Sequence, residues 1–169
     1  RPQFERSEWI NLNGTWTFQF DFGNSGKDRQ LQSAEKFSKN ITVPFCPESK
    51  LSGVEYTDFI NQMWYQRKIS IPTDWKGKKI LLHFGAVDYQ AEVFIDGQFI
   101  GRHIGGSSSF CMDLTRFAKA GNTHNLIVYV KDEQRSGLQT IGKQCNNFYS
   151  GGCSYTRVTG IWQTVWLEA

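Results

Sequence analysis

Apolar and polar residues alternate along much of the chain, which is the pattern of strands that bury one face. Four aromatic side chains occupy every second position from Trp16 to Phe22, and aliphatic side chains do the same from Leu126 to Val130. Asp96-Gly97 separates two further apolar runs and suits a type I′ hairpin turn, because both central residues of that turn need positive φ. The alternation predicts strands at residues 15–22, 41–43, 64–71, 79–84, 91–95, 98–100, 126–130 and 161–167.

Helical periodicity is weak by comparison. Segment 29–38 could form a turn or two, and segment 114–120 could form one. Seven or more strands with so little helix predict an all-β sandwich or barrel. No repeat, low-complexity stretch or linker divides the sequence. We therefore expect a single domain over residues 1–169.

One long segment, residues 142–160, breaks the strand pattern. It is rich in Gly, Asn and Ser, yet it carries Phe148, Tyr149, Tyr155 and Arg157. A loop longer than about 12–15 residues inside a compact domain is usually functional or disordered, and the aromatic and arginine side chains argue against disorder. A ligand contact is therefore expected here first.

Composition narrows the class of protein. Aromatic residues make up 15% of the chain, which suits both a large β core and stacking platforms for sugars or bases. The net charge is only +3 and the basic residues are scattered, whereas nucleic-acid binding usually needs a concentrated basic stripe. No apolar run approaches the ~20 residues that span a bilayer. Neither nucleic acid nor membrane is expected as a partner, and Arg1 in place of Met predicts a processed or artificially defined start.

No arrangement of residues for catalysis stands out. Glycosidases need two carboxyl groups about 5–10 Å apart, but the acids here, Asp88 and Glu92 among them, are spread singly and most are expected on solvated strand faces. Gly-x-Ser-x-Gly, phosphate-binding glycine loops, Cys-x-x-Cys and paired histidine spacings do not occur, so no metal and no cofactor are expected. Cys145 and Cys153 lie in one loop and could form a disulfide, although free thiols fit equally well.

Four strings of residues together carry a family resemblance. They are RPQFERSEWINLNGTWTFQFD at 1–21, MWYQRKISIP at 63–72, FGAVDYQAEVFIDGQFIGRHIGG at 84–106 and YTRVTGIWQTVWLE at 155–168. In this order and spacing they resemble the N-terminal sugar-binding domain of family 2 glycoside hydrolases, the β-galactosidase, β-glucuronidase and β-mannosidase group. The resemblance covers the chain from end to end.

The resemblance implies a galactose-binding-like, jelly-roll β-sandwich that packs beside an immunoglobulin-like domain and a (β/α)8 barrel. In this family the catalytic glutamates lie on the barrel, so the chain is expected to have no catalytic residues and no activity of its own. It would shape the rim of the substrate cleft of a retaining β-glycosidase in carbohydrate catabolism, with β-linked oligosaccharides or glycosides and the adjacent domains as partners. An autonomous carbohydrate-binding module that grips sugar through its loops is the alternative. Ala169 stands where the next domain would begin, and a bacterial, periplasmic or secreted location is expected rather than a cytoplasmic one.

The resemblance also points to substrate-binding residues at the rim. An acidic residue commonly precedes the aromatic of the Tyr-x-Arg motif, which is Tyr155 and Arg157 here, but Ser154 takes that place and a hydroxyl cannot make a carboxylate's charge-assisted hydrogen bond. The loop before the Trp-Tyr strand offers Asp58 and Asn61. Each has a structural alternative. Arg157 could pin the loop through carbonyl groups, Tyr155 could pack on a sheet, and the two polar residues could cap a turn.

Overall fold

Two antiparallel sheets face each other across the main hydrophobic core in the computed structural model, which describes residues 6–169. Residues 1–5, where the first of the four strings begins, lie outside the described residues. The strands are β1 Trp9–Asn11, β2 Gly14–Phe20, β3 Lys39–Val43, β4 Gln62–Ser70, β5 Leu81–Phe84, β6 Val87–Asp88, β7 Gln90–Ile95, β8 Gln98–Ile104, β9 Phe110–Asp113, β10 Thr123–Lys131, β11 Gly160–Ile161 and β12 Val165–Glu168. Short 3-10 turns lie at Leu31–Ser33, Lys50–Ser52, Thr73–Trp75 and Gln134–Ser136.

The strand order within each sheet joins segments that are far apart in sequence. The larger sheet has the order β3-β2-β4-β10-β7-β8, the smaller has the order β1-β12-β5-β9, and β6 pairs with β11. The prediction of an all-β jelly-roll sandwich is confirmed. In the part of the chain that the structure describes, no helix has the length and apolar character needed to cross a bilayer.

Alternation identifies the core face of most strands correctly. Trp16 and Phe18 in β2 are buried, as are the apolar residues of β5 and β10 that face the opposite sheet. The predicted fourth aromatic of β2 is an exception, because the strand ends at Phe20 and Phe22 is 56% exposed. There the Phe22 ring packs against Phe20 and Tyr56, with ring centroids 5.2 and 5.7 Å apart.

The strand predicted at 161–167 is two strands. Ile161 pairs with Val87 in the small third sheet, whereas Val165 pairs with Phe84 in the four-stranded sheet. The chain changes sheets between them, so Gln163 belongs to neither ladder and is exposed.

The predicted β7–β8 hairpin turn forms as expected. Asp96 and Gly97 have φ angles of 49° and 80°, which are the values that a type I′ turn requires. The Asp96 carboxylate also accepts a 2.7 Å hydrogen bond from the Asn125 amide and lies 2.6 Å from Nδ1 of His124. The turn is therefore tied to the start of β10.

A second apolar cluster lies on the outer face of the six-stranded sheet. Alternation predicts solvent there, but segment 21–38 folds over the sheet and excludes it. Asp21 holds this segment in place, because its carboxylate accepts hydrogen bonds from the amides of Ser25 and Gly26 at 3.0 and 2.9 Å and from the Trp64 indole at 3.1 Å. The Gly26 backbone lies so close to the Trp64 ring that any Cβ would clash with it. The cluster consists of Leu31, Phe37, Trp64, Phe94, Ile127 and Tyr129.

Asp21→Ala should lower the free energy of unfolding by about 3 kcal/mol, because it leaves one indole and two backbone donors without their charged acceptor. Urea denaturation measures the change. Asp28→Asn, an exposed acid of the same segment, is the matched control and should change stability by less than about 0.5 kcal/mol. An equal, small effect of both variants would contradict the role given to Asp21.

Candidate functional site

Two long loops meet at one end of the sandwich. One is residues 44–61, between β3 and β4, and the other is residues 132–159, between β10 and β11. We call these two loops the loop end. They contain all five residues that the sequence analysis proposed for the rim. Strand pairing within the described residues of these loops is limited to an isolated bridge between Gln144 and Tyr155.

Arg157 joins the two loops from inside. Its side chain is buried, with the residue only 2% exposed. Nη1 donates to the carbonyl oxygens of Cys145 and Asn147 at 3.3 and 2.6 Å, and Nη2 donates to those of Phe148, at 3.3 Å, and Thr57. Arg157 thus pins the loop through carbonyl groups, which is the structural alternative given in the sequence analysis. Its guanidinium presents almost no surface to a ligand.

The Phe59 ring extends this clamp toward the surface. The guanidinium carbon of Arg157 lies 4.2 Å from the ring centroid, and that of Arg135 lies 4.0 Å from it. Arg135 is exposed whereas Arg157 is buried. The Phe59 ring therefore links a buried cation to an exposed one. Cation–π contacts of this kind are stronger where a partner is desolvated.

Asp58 and Asn61 are exposed on either side of this aromatic residue. The Asp58 carboxylate accepts a 2.7 Å hydrogen bond from the Phe59 amide, and the Asn61 carbonyl accepts one of 2.8 Å from the Asp132 amide on the other loop. The backbone is therefore held while the two polar side chains project from the surface.

Ser154 and Tyr155 lie on the second loop. The Tyr155 backbone bonds to Cys145 and Lys143, both at 2.8 Å, while its ring is 63% exposed. The ring does not pack on a sheet, and the Lys143 ammonium lies 5.9 Å from its centroid. Ser154 is half-buried, and its amide donates to the Gly151 carbonyl at 3.1 Å.

The two cysteines of this loop are not joined. Cys145 is buried, and its thiol donates to the Tyr149 carbonyl at 3.5 Å. Cys153 is exposed. Of the two alternatives that the sequence left open, the structure has free thiols, and a buried arginine rather than a disulfide closes the loop.

Three buried carboxyl groups lie in or directly against the loop end, namely Glu48, Asp88 and Asp132. Thr159 bridges two of them, because its amide donates to Glu48 at 3.2 Å and its hydroxyl donates to Asp132 at 3.0 Å. Asp88 accepts a 2.7 Å hydrogen bond from the Gln144 side chain. The expectation that Asp88 lies on a solvated strand face is wrong, because the 132–159 loop covers it.

Burial raises the pKa of these acids. The pKa of Glu48 and that of Asp88 both rise to about 7, and that of Asp132 also rises. In each case the main cause is the loss of water around the charged form. The neighbouring Cys46 thiol has a pKa raised to about 12 by burial and by Glu48.

The three acids are enclosed by the protein. Each is less than a tenth exposed. Among residues 6–169, no group of three His, Cys, Asp or Glu side chains has the arrangement of a metal site.

Comparison with known proteins identifies the family. Residues 10–168 match the family described as glycosyl hydrolases family 2, sugar binding domain. The chain therefore belongs to this family of sugar-binding domains.

The most similar proteins include two kinds of glycosidase. The chain is 28% identical over 166 residues to a beta-galactosidase of Thermoanaerobacter pseudethanolicus, a match that covers 95% of this chain and 20% of that protein. It is 29% identical over 144 residues to a beta-glucuronidase of Bacteroides fragilis, covering 84% of this chain and 19% of that protein. It thus spans about a fifth of the length of these curated relatives.

Solved structures support the fold. The β-glucuronidase of Ruminococcus gnavus in complex with D-glucaro 1,5-lactone aligns with a TM-score of 0.74 at 23% identity. The alignment covers 97% of this chain and 30% of that one.

Glu48 and Asp88 should make the protein less stable as the pH rises. Their pKa values in the folded chain, about 7, lie above the ordinary values of 4.5 and 3.8, so unfolding releases protons between these limits. Their stabilising contribution is therefore complete below about pH 4 and is lost by about pH 7. Glu48→Gln should remove up to about 3 kcal/mol of this decline, measured by urea denaturation at several pH values.

Glu35→Gln is the matched control for this experiment, because Glu35 is an exposed glutamate. It should keep the wild-type dependence of stability on pH. The assignment fails if Glu48→Gln shows the same slope as the wild type between pH 4.5 and pH 7.

Arg157→Ala should loosen the loop end while the sandwich stays folded. The four carbonyl groups that it serves lose their buried donor, so the amides of residues 142–160 should exchange with solvent at least about tenfold faster. Hydrogen exchange read by mass spectrometry measures this. Arg135→Ala touches the same Phe59 ring from the exposed side and should change exchange little, so equal acceleration in both variants would refute the clamp.

Proposed function

We propose that this chain is a non-catalytic accessory domain of a retaining β-glycosidase of the β-galactosidase or β-glucuronidase type, acting in carbohydrate catabolism. In this proposal the loop end forms part of the rim of a sugar cleft, and the groups that break the glycosidic bond belong to another part of a longer polypeptide. The observation that carries it is the loop end itself. Exposed polar and aromatic side chains stand on loops that a buried arginine fixes from beneath.

The family assignment supports a role in glycoside hydrolysis. The relatives are named as beta-galactosidase and beta-glucuronidase, and this chain corresponds to about a fifth of each. A domain that makes up so small a share of an enzyme can contribute to its cleft without containing its catalytic residues. The three acids at the loop end are enclosed, which favours a contribution other than proton transfer.

The five rim residues have two proposed roles, which are contact with a sugar and support of the loop backbone. Asp58, Asn61 and Tyr155 have exposed side chains, so they can offer hydrogen bonds and an aromatic face to a sugar. The half-buried Ser154 adds a hydroxyl. Arg157 acts as a positioning residue, because it holds the backbone of both loops.

Apolar side chains around these polar groups favour docking of adjacent domains of the same polypeptide. Exposed apolar side chains on a protein surface can mark an interaction site, and covering those of the loop end would bring the neighbouring domain against the rim. A single domain over residues 1–169 is part of the same proposal, and the periplasmic or secreted location stays a prediction. The exposed apolar residues of the loop end are Phe45, Leu51, Leu138, Phe148 and Tyr149.

The alternative, an autonomous carbohydrate-binding module that uses its loops, has the same fold. The two differ in what the loop end does alone. A module should bind an oligosaccharide there without any other domain, whereas a rim needs the opposite wall of the cleft.

Kinetics of the longer enzyme test the rim. Asn61→Ala and Tyr155→Ala should each lower kcat/KM for aryl β-glycosides about tenfold, since each removes a contact worth roughly 1–1.5 kcal/mol. Asn122→Ala is the matched control, because Asn122 is an exposed asparagine at the opposite end of β10. The purified 169-residue chain should not hydrolyse aryl β-galactosides or β-glucuronides. Turnover by this chain, or rim variants that behave like the control, would overturn the proposal.

A further inference from the structure

A groove lies on the outer face of the six-stranded sheet, away from the loop end. Its volume is about 210 Å³. Segment 21–38 forms one wall and the β7–β8 hairpin forms the other. It lies beside the Asp96-Gly97 turn, whereas Asp88 and the loop end lie at the opposite end of β7. The lining residues are Lys27, Gln32, Glu92, Phe94 and Phe99.

Phe99 gives the groove an exposed aromatic surface. Its ring is 55% exposed, although it stands opposite the nearly buried Phe94 in the strand register. The two rings meet edge to face with centroids 5.7 Å apart, and Phe94 in turn stacks on the buried Trp64 at 6.2 Å. Phe99 is thus a supported aromatic ring with much of its surface free.

Two opposite charges are fixed beside this ring. The Lys27 ammonium and the Glu92 carboxylate are 2.8 Å apart. Glu92 is only 9% exposed, and its second oxygen accepts a 3.3 Å hydrogen bond from Gln90. Lys27 remains more than half exposed and lies 4.9 Å from the centre of the Tyr129 ring. Such a pair offers a charged donor and a charged acceptor to one hydroxyl group, and these make the stronger hydrogen bonds.

Gln32 contributes a buried acceptor that lacks a partner within the protein. Its Oε1 atom is enclosed and accepts no hydrogen bond. Buried polar atoms are usually satisfied, and this one lies on a residue that lines the groove, so it is available to a donor from outside the chain. A hydroxyl group on a ligand in the groove can supply it once the Gln32 side chain, which lines the groove, turns outward.

The chemistry of the groove selects a neutral sugar. Lys27 and Glu92 cancel each other's charge, which disfavours anions and cations alike. The volume lies below the roughly 300–1,000 Å³ of pockets for drug-sized ligands and suits one ring. An aromatic platform with a few fixed polar groups matches a pyranose, which has apolar C–H faces and hydroxyl edges.

We propose that this groove is a second sugar-binding site that takes a single neutral pyranose unit. Phe99 stacks on one face of the ring, Lys27 and Glu92 bind its hydroxyl groups, and Gln32 accepts from another hydroxyl. The site uses none of the loop-end residues, so it stands independently of the proposed rim.

Nuclear magnetic resonance of the 169-residue chain tests the site residue by residue. Titration with D-galactose, D-glucose and lactose should give saturable shifts of the Trp64 indole and of amides in 90–102, with a dissociation constant on the order of 1–10 mM. Phe99→Ala and Lys27→Met should each weaken binding at least about tenfold while the remaining spectrum stays that of the folded protein. Ile104→Ala is the matched control, since Ile104 is an exposed apolar residue of the same strand outside the groove lining.

Four results would overturn the proposal that the groove binds a sugar. They are no saturable shift up to about 100 mM sugar, equal shifts with glycerol, unchanged binding in Phe99→Ala, and shifts confined to residues 44–61 and 132–159. The last result would place sugar at the loop end and would support the autonomous-module alternative. Failure of the groove leaves the kinetic test of the rim unaffected, because that test changes Asn61 and Tyr155 in the longer enzyme.

Discussion

Buried backbone carbonyl groups need donors, and at the loop end one guanidinium supplies them. Thr57 belongs to one loop, and Cys145, Asn147 and Phe148 belong to the other, yet Arg157 serves all four. The loops have little strand pairing of their own, so these carbonyl groups depend on side-chain donors; the Cys145 carbonyl also accepts from the Gln134 side chain. The positions of the exposed side chains next to these carbonyl groups therefore depend on a residue that is itself hidden.

The sequence predicts the longer strands, because alternation reports directly which face of a strand meets the opposite sheet, whereas the short strands β1, β6 and β9 lie outside the predicted ranges. The β7–β8 turn is equally predictable, since Asp96-Gly97 has few conformations to choose from. The outer face of β10 is not predictable in this way. Ile127 and Tyr129 are buried there by segment 21–38, which has no periodic pattern and takes its shape from the hydrogen bonds of Asp21.

The candidate sites, too, could be predicted from the sequence only in part. The family resemblance identifies Tyr155 and Arg157, but only the structure distinguishes an exposed ring from a buried clamp, because that depends on carbonyl groups up to 100 residues away. The burial of Glu48 and Asp88 was not predicted for the same reason, since Thr159 and Gln144, which donate hydrogen bonds to them, belong to a loop that is distant in sequence. The groove beside Phe99 is assembled from segments that carry no shared motif.

Segment 21–38 makes the molecule three layers thick over part of its area. The sheet beneath it is an interior layer there, so a neighbouring domain cannot pack directly on this part of the sheet. On the opposite side, the four-stranded sheet carries the exposed Trp9 and the stacked rings of His83 and Trp166, whose centroids are 4.9 Å apart. The direction from which a larger assembly can be built around the chain is thus restricted by a stretch of irregular backbone.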